Sequence, residues 1–154
     1  MLNNRFEVSG ATAATTIAVD RAIAGIWNPS TAKRISVLEI HIAKTAAGGA
    51  DRPKLRRSSA RGTATTTVTP GVNHDLTGDL VTPLSGFLLD VTYSVEPTLK
   101  AGDMRQFVIP GAIGAGVMWV FAEPIEIPEG EGLVICTGSA LAFPIAVVSF
   151  TTAE

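Results

Sequence analysis

Arg34-Ile35-Ser36-Val37-Leu38-Glu39-Ile40-His41-Ile42-Ala43-Lys44 is the stretch on which the fold turns. Leu38, Ile40 and Ile42 alternate with Val37, Glu39 and His41, and a period of two predicts a strand that sends one set inward and the other outward. Moving outward along the chain, residues 87–93, 104–109, 117–121, 132–137 and 145–151 are short runs rich in Val, Ile, Phe and Tyr. Each is bounded by Gly, Pro, Asn or Asp, as separate strands are. The punctuation has a mechanism: in Pro70-Gly71, Ala101-Gly102-Asp103, Pro110-Gly111 and Pro128 through Gly132, proline presets a turn torsion and glycine accepts positive φ. Residues 10–25 hold enough alanine for a helix, but Ile17 and Val19 alternate with Thr16, Ala18 and Asp20. Their β-branched side chains favour a strand. Residues 70–86 and 94–103 read as polar connections, the first long enough to reach a neighbour.

Regularly spaced short strands with turns between them predict an all-β fold, a single antiparallel β-sandwich. Connections too long for simple hairpins point to a jelly roll. The chain of 154 residues fits one domain over residues 1–154, with enough length to bury a core without disulfides or metals. Residues 1–9 are expected to be a mobile N-terminal arm, since termini are often unordered until docked. This terminus carries Asn3, Asn4, Arg5 and Glu7 and offers no apolar core for a signal peptide. No run of eighteen apolar residues escapes interruption by Gly, Pro or charge, so a soluble protein without a membrane span is expected.

The formal net charge is −2, too small for a field that steers the whole molecule to nucleic acid or anionic lipid. Charge is nonetheless uneven along the chain. All 12 lysines and arginines fall at or before Arg105, and only Glu123, Glu126, Glu129, Glu131 and Glu154 carry charge after it. The densest basic stretch is Arg52, Lys54, Arg56, Arg57 and Arg61, with no acid among residues 52–61. Three readings of it are open: a solvated strand or loop, a contact for an acidic protein surface, and a nucleic-acid site. The third is the weakest, because no Phe, Tyr or Trp lies between Trp27 and Phe87 to stack on bases. In a ring of copies, the basic middle of one chain could meet the acidic turn at Glu126, Glu129 and Glu131 of the next.

Residues for chemistry are sparse. His41 sits within the strand beside Glu39 and reads as a half-exposed structural histidine. Asn73-His74-Asp75 could orient a general base, yet no G-x-S-x-G nucleophile motif accompanies it. Two isolated histidines do not make a cupin-like metal set. Glu129 and Glu131 share a Pro/Gly turn instead of flanking a cleft lined with sugar-stacking rings. The glycine-rich residues 111–116 lack the lysine and helix of a phosphate loop. Cys136 is the single cysteine, which excludes an internal disulfide, and its apolar neighbours Leu133, Val134 and Ile135 mark it as a buried small hydrophobe. No catalytic residue, metal or cofactor is expected.

Ile26-Trp27-Asn28-Pro29, the strand beginning Lys33-Arg34-Ile35, Leu55-Arg56-Arg57, and the run from Glu123 through Leu133 together resemble small β-sandwich structural proteins of tailed bacteriophages. Among these the chain is most similar to capsid decoration, or cement, proteins. The resemblance implies a jelly-roll virion component made in the host cytoplasm that forms trimers on the capsid exterior and binds the major capsid protein. It brings no signature residue with it. A head-fibre, baseplate or tail module that binds carbohydrate or a receptor is the other phage role for such a sandwich. Low aromatic content, 6%, weighs against sugar binding. For self-association the apolar residues Val117, Trp119 and Phe121 and the run 143–150 are the candidates, with central core strands as the plain alternative.

Overall fold

The computed structural model describes residues 4–70, 72–73 and 83–154. Among these residues there is no helix and there are twelve strands: β1 (Arg5–Ala11), β2 (Ala22–Trp27), β3 (Ile35–Lys44), β4 (Lys54–Ala60), β5 (Thr63–Val68) and β6 (Val72–Asn73), then β7 (Leu88–Val95), β8 (Thr98–Leu99), β9 (Arg105–Gln106), β10 (Gly116–Ile127), β11 (Gly132–Cys136) and β12 (Ala146–Ala153). They form two antiparallel sheets packed face to face. The first has the order β10-β3-β12-β1-β6 and the second β5-β7-β2-β11-β4-β8, with β9 also on β4.

The pairing is nested. β1 lies against β12, β2 against β11 and β3 against β10, so the chain folds back on itself from its ends inward. The fourth layer of nesting is a bent one. Ala60 faces Thr98 and Thr63 faces Val95, which makes β4 and β5 two halves of one strand running beside β7 and β8. Between the halves Gly62 has φ +76°, and a Cβ there would lie 2.4 Å from the Val95 carbonyl oxygen. Only glycine fits both the torsion and the space.

The core between the sheets is aliphatic and aromatic: Ile35, Ile40, Ile42, Leu133, Ile135 and Phe150 are fully buried, with Phe6 edge-on to Phe87 at 6.3 Å. All five residues of β11 are buried, as expected of a central strand covered on both faces. The N-terminal segment expected as an arm is, from Arg5 onward, a paired strand whose Phe6 and Val8 enter the core. Residues 10–25, expected as one strand, divide into the end of β1, a loop and the start of β2. Ile17 and Val19 are exposed in that loop, which is held by backbone bonds from Thr12 to Ala146, Thr15 to Phe143 and Asp20 to Thr137. The run 104–109 shortens to β9 and a bridge between Asp51 and Ile109, while 117–121 extends to the twelve residues of β10.

The decisive stretch is a strand, but its alternation slips once. Ile35 and Val37 point inward, then Ile40, Ile42 and Lys44 do so. On β12, Thr151 and Thr152 face Glu39 and Val37, leaving Leu38 as the extra residue of a bulge. One inserted residue reverses the phase of everything beyond it. As a result Lys44 is carried into the core at 1% exposure. Its Nζ donates to the carbonyls of Gly49 at 2.7 Å and Pro110 at 3.0 Å, and sits 5.2 Å from the centre of the Phe143 ring. Burial pulls the Lys44 pKa below its ordinary 10.5, against the opposing charge of Asp51.

Candidate functional site

The basic stretch does not form a patch, because the geometry of β4 sends its cations in different directions. Lys54 and Arg56 are two apart and share the outer face of the second sheet, with Leu55 between them in the core. They close on two carboxylates from distant loops. Lys54 Nζ lies 2.7 Å from Asp20 and 3.6 Å from Asp103, and Arg56 lies 3.2 Å from Asp20 and 3.4 Å from Asp103. Arg56 also donates to the Lys100 carbonyl at 2.7 Å. Arg57 spans the two sheets and donates to the Glu126 carbonyl at 2.7 Å. Arg61 forks onto Asp90 through Nε at 2.8 Å and Nη2 at 2.7 Å. Arg52 is exposed in the segment before β4. Of the five candidate partner contacts, Lys54, Arg56 and Arg61 are thus engaged by carboxylates of their own chain.

Asp20 adopts φ +62°, a left-handed conformation that Asp tolerates better than most residues. The turn aims its carboxylate back at β4. Burial pushes the Asp20 carboxyl up, but the Lys54 contact and the charges of Lys54 and Arg56 outweigh this and hold it below its ordinary 3.8. A lowered carboxyl contributes stability above its unfolded value and loses it as pH falls through the folded one. Asp20→Asn is therefore expected to melt about 2 °C below the wild type at neutral pH, a modest effect because the pair is partly screened. The difference should vanish on acidification, followed by circular dichroism. A deficit of equal size at every pH would show that the charge is not the cause.

The acidic turn is partnered inside the chain as well. Glu126 accepts from the Ser36 hydroxyl at 2.6 Å, Glu129 lies 4.0 Å from Arg34, and Glu131 pairs with Lys100. Remote segments also meet here: Asn28 Nδ2 donates to the carbonyls of Lys33 and Ile127. A ring contact between basic middle and acidic turn would have to break these internal pairs first.

Val117, Trp119 and Phe121 point inward along β10. The Phe107 ring packs edge-on to Trp119 at 3.9 Å, and the Arg105 guanidinium lies 5.8 Å from the centre of the Phe121 ring. The apolar side chains that reach solvent are the intervening ones, Met118 at 59% and Val120 at 68% exposure. Sequence reading passed over them, although alternation at period two put them opposite the inward set. On the outer face of the first sheet Met118 stands beside His41, and His41 beside Ser149; Val120 stands beside Glu39, and Glu39 beside Thr151. Val147, also exposed, lies beside Ala43. His41 is therefore half-buried on an outer sheet face, lining a shallow depression with Glu7, Glu39, Met118 and Ser149.

A cavity of about 210 Å³ beside residues 13–16 is bordered by Arg21, Tyr93 and Glu96, but Arg21 and Glu96 pair with each other at 3.1 Å. Cys136 is fully buried, and burial together with the Asp20 charge pushes its thiol up to about 12, far from the thiolate a nucleophile requires. Among the described residues no group of three or more His, Cys, Asp or Glu is placed to hold a metal ion, and no helix is long and apolar enough to cross a membrane. His74 and Asp75 lie outside the described residues. No family model matches this chain, and no curated protein matches it significantly.

Proposed function

We propose that this chain is an assembly protein, a capsid decoration (cement) protein of a tailed bacteriophage that self-associates and stabilises the head by binding the major capsid protein. The observation that carries this reading is the exposed apolar edge at Met118 and Val120 of β10, in a stretch free of charge from Gly116 to Val120. Covering that edge removes apolar surface from water without burying a charge of β10 itself. The nested strand pairing supports a jelly roll as the finer architecture. Of the nine aromatic residues five are buried and four half-buried, which weighs against a platform for a sugar ring. The protein acts on the capsid exterior after synthesis in the host cytoplasm.

Stabilisation by such a protein is the sum of many modest contacts repeated over a shell. Purified protein added to phage heads that lack it should co-sediment to saturation and raise the temperature at which the heads release DNA. Failure to bind heads, together with binding on a glycan array, would move the function to a tail or fibre module.

A further inference from the structure

We infer that β10 is the self-association element, pairing antiparallel with β10 of a second copy about a two-fold axis. The inference rests on the self-association half of the proposed function and not on the capsid half. Among the described residues β10 is the outermost strand of its sheet and is hydrogen-bonded to β3 alone, so one side of its backbone has no partner strand among them. An open edge is a template for another strand unless it is short, irregular or charged. Of the other edges among the described residues, β8 has two residues and β5 has three register shifts against β7.

β10 is guarded along half its length only. From Val120 to Ile125 its register with β3 is irregular, Pro124 has no amide to donate, and Glu123 and Glu126 add charge. From Gly116 to Val120 the register is regular and there is no charge at all. A second copy of this chain is the occupant that fits, because a charge-free apolar edge matches itself in one register. With Trp119 on the two-fold axis, Met118 faces Val120 of the second copy and Val117 faces its Phe121. Glu123 then falls opposite Ala115, away from any acid. A slip of one residue would set inward against outward side chains. A slip of two would either place Val120 against Gly116 or bring Val117 against Glu123. A strand paired with its own copy gives a closed two-fold dimer, not the trimer that the resemblance implies.

Light scattering and sedimentation equilibrium should find a dimer that dissociates on dilution, as expected for a contact below the standard interface size. Met118→Glu and Val120→Lys change exposed side chains, so at a dilution where every form is monomeric each variant should keep the wild-type melting temperature. Each alone puts charge at the apolar contact and should weaken the dimer about tenfold or more. The double variant Met118→Glu/Val120→Lys sets the new carboxylate against the new ammonium across the axis and should return the constant to within about threefold of the wild type. A monomer at all concentrations, a trimer, or a double variant no tighter than the single ones would overturn the pairing. Monomers that still bind phage heads would overturn the pairing and leave the decoration reading standing. Dimers that ignore heads would support the pairing and remove the decoration reading.

Discussion

Lys44→Ala is expected to cost about 4 kcal/mol of stability, a large part of the 5–15 kcal/mol typical of a domain. Two losses combine. The four-carbon stem, which is packed in the core at 1% exposure, leaves a cavity, and the carbonyls of Gly49 and Pro110 lose their donor. A hydrogen bond from a charged donor contributes about 1.5–3 kcal/mol. Lys44→Met separates these terms, since it keeps the stem, removes the ammonium and should lose about 1–2 kcal/mol. pH offers an independent check. A lysine whose folded pKa lies below its ordinary 10.5 binds its proton more tightly unfolded, so its contribution rises with pH across that interval. The wild type should gain on Lys44→Met as pH approaches 10.5, measured by urea unfolding. A gap that shrinks instead would mean the ammonium is better accommodated folded than unfolded.

Arg61→Ala is the second large effect, at about 3–4 kcal/mol. Asp90 sits at 1% side-chain exposure between β2 and β5, and without the guanidinium its remaining side-chain partner among the described residues is the Thr67 hydroxyl at 2.7 Å. The converse change, Asp90→Asn, should cost about 1–2 kcal/mol, because Arg61 at 31% exposure can turn toward water and the amide keeps some hydrogen bonding. A variant within about 0.5 kcal/mol of the wild type that has lost affinity for a partner would return Arg61 to the surface role considered from the sequence.

Much of the strand content was legible. Residues 87–93, 132–137 and 145–151 lie within one or two residues of β7, β11 and β12, because apolar runs between glycine and proline turns carry their own boundaries. β1 also carried a signal: charged Arg5 and Glu7 alternate with Phe6 and Val8, and its place at the terminus hid the pattern. Residues 10–25 misled because alternation over Ile17 and Val19 is local. Whether such a segment joins a sheet depends on an available neighbour, and backbone bonds to 137, 143 and 146 hold it as a loop instead.

The sequence by itself determined an all-β chain with one buried cysteine, and it determined where the charges stand along the chain. The tertiary structure alone decided what those charges do. Asp20 and Asp103 meet Lys54 and Arg56, and Asp90 meets Arg61 across 29 positions, because nested strand pairing brings remote segments together. It likewise decided that β10 ends a sheet while β11 lies at the centre of one. Both read as apolar runs, but an edge is defined by the neighbour that is missing, which no local pattern of side chains records.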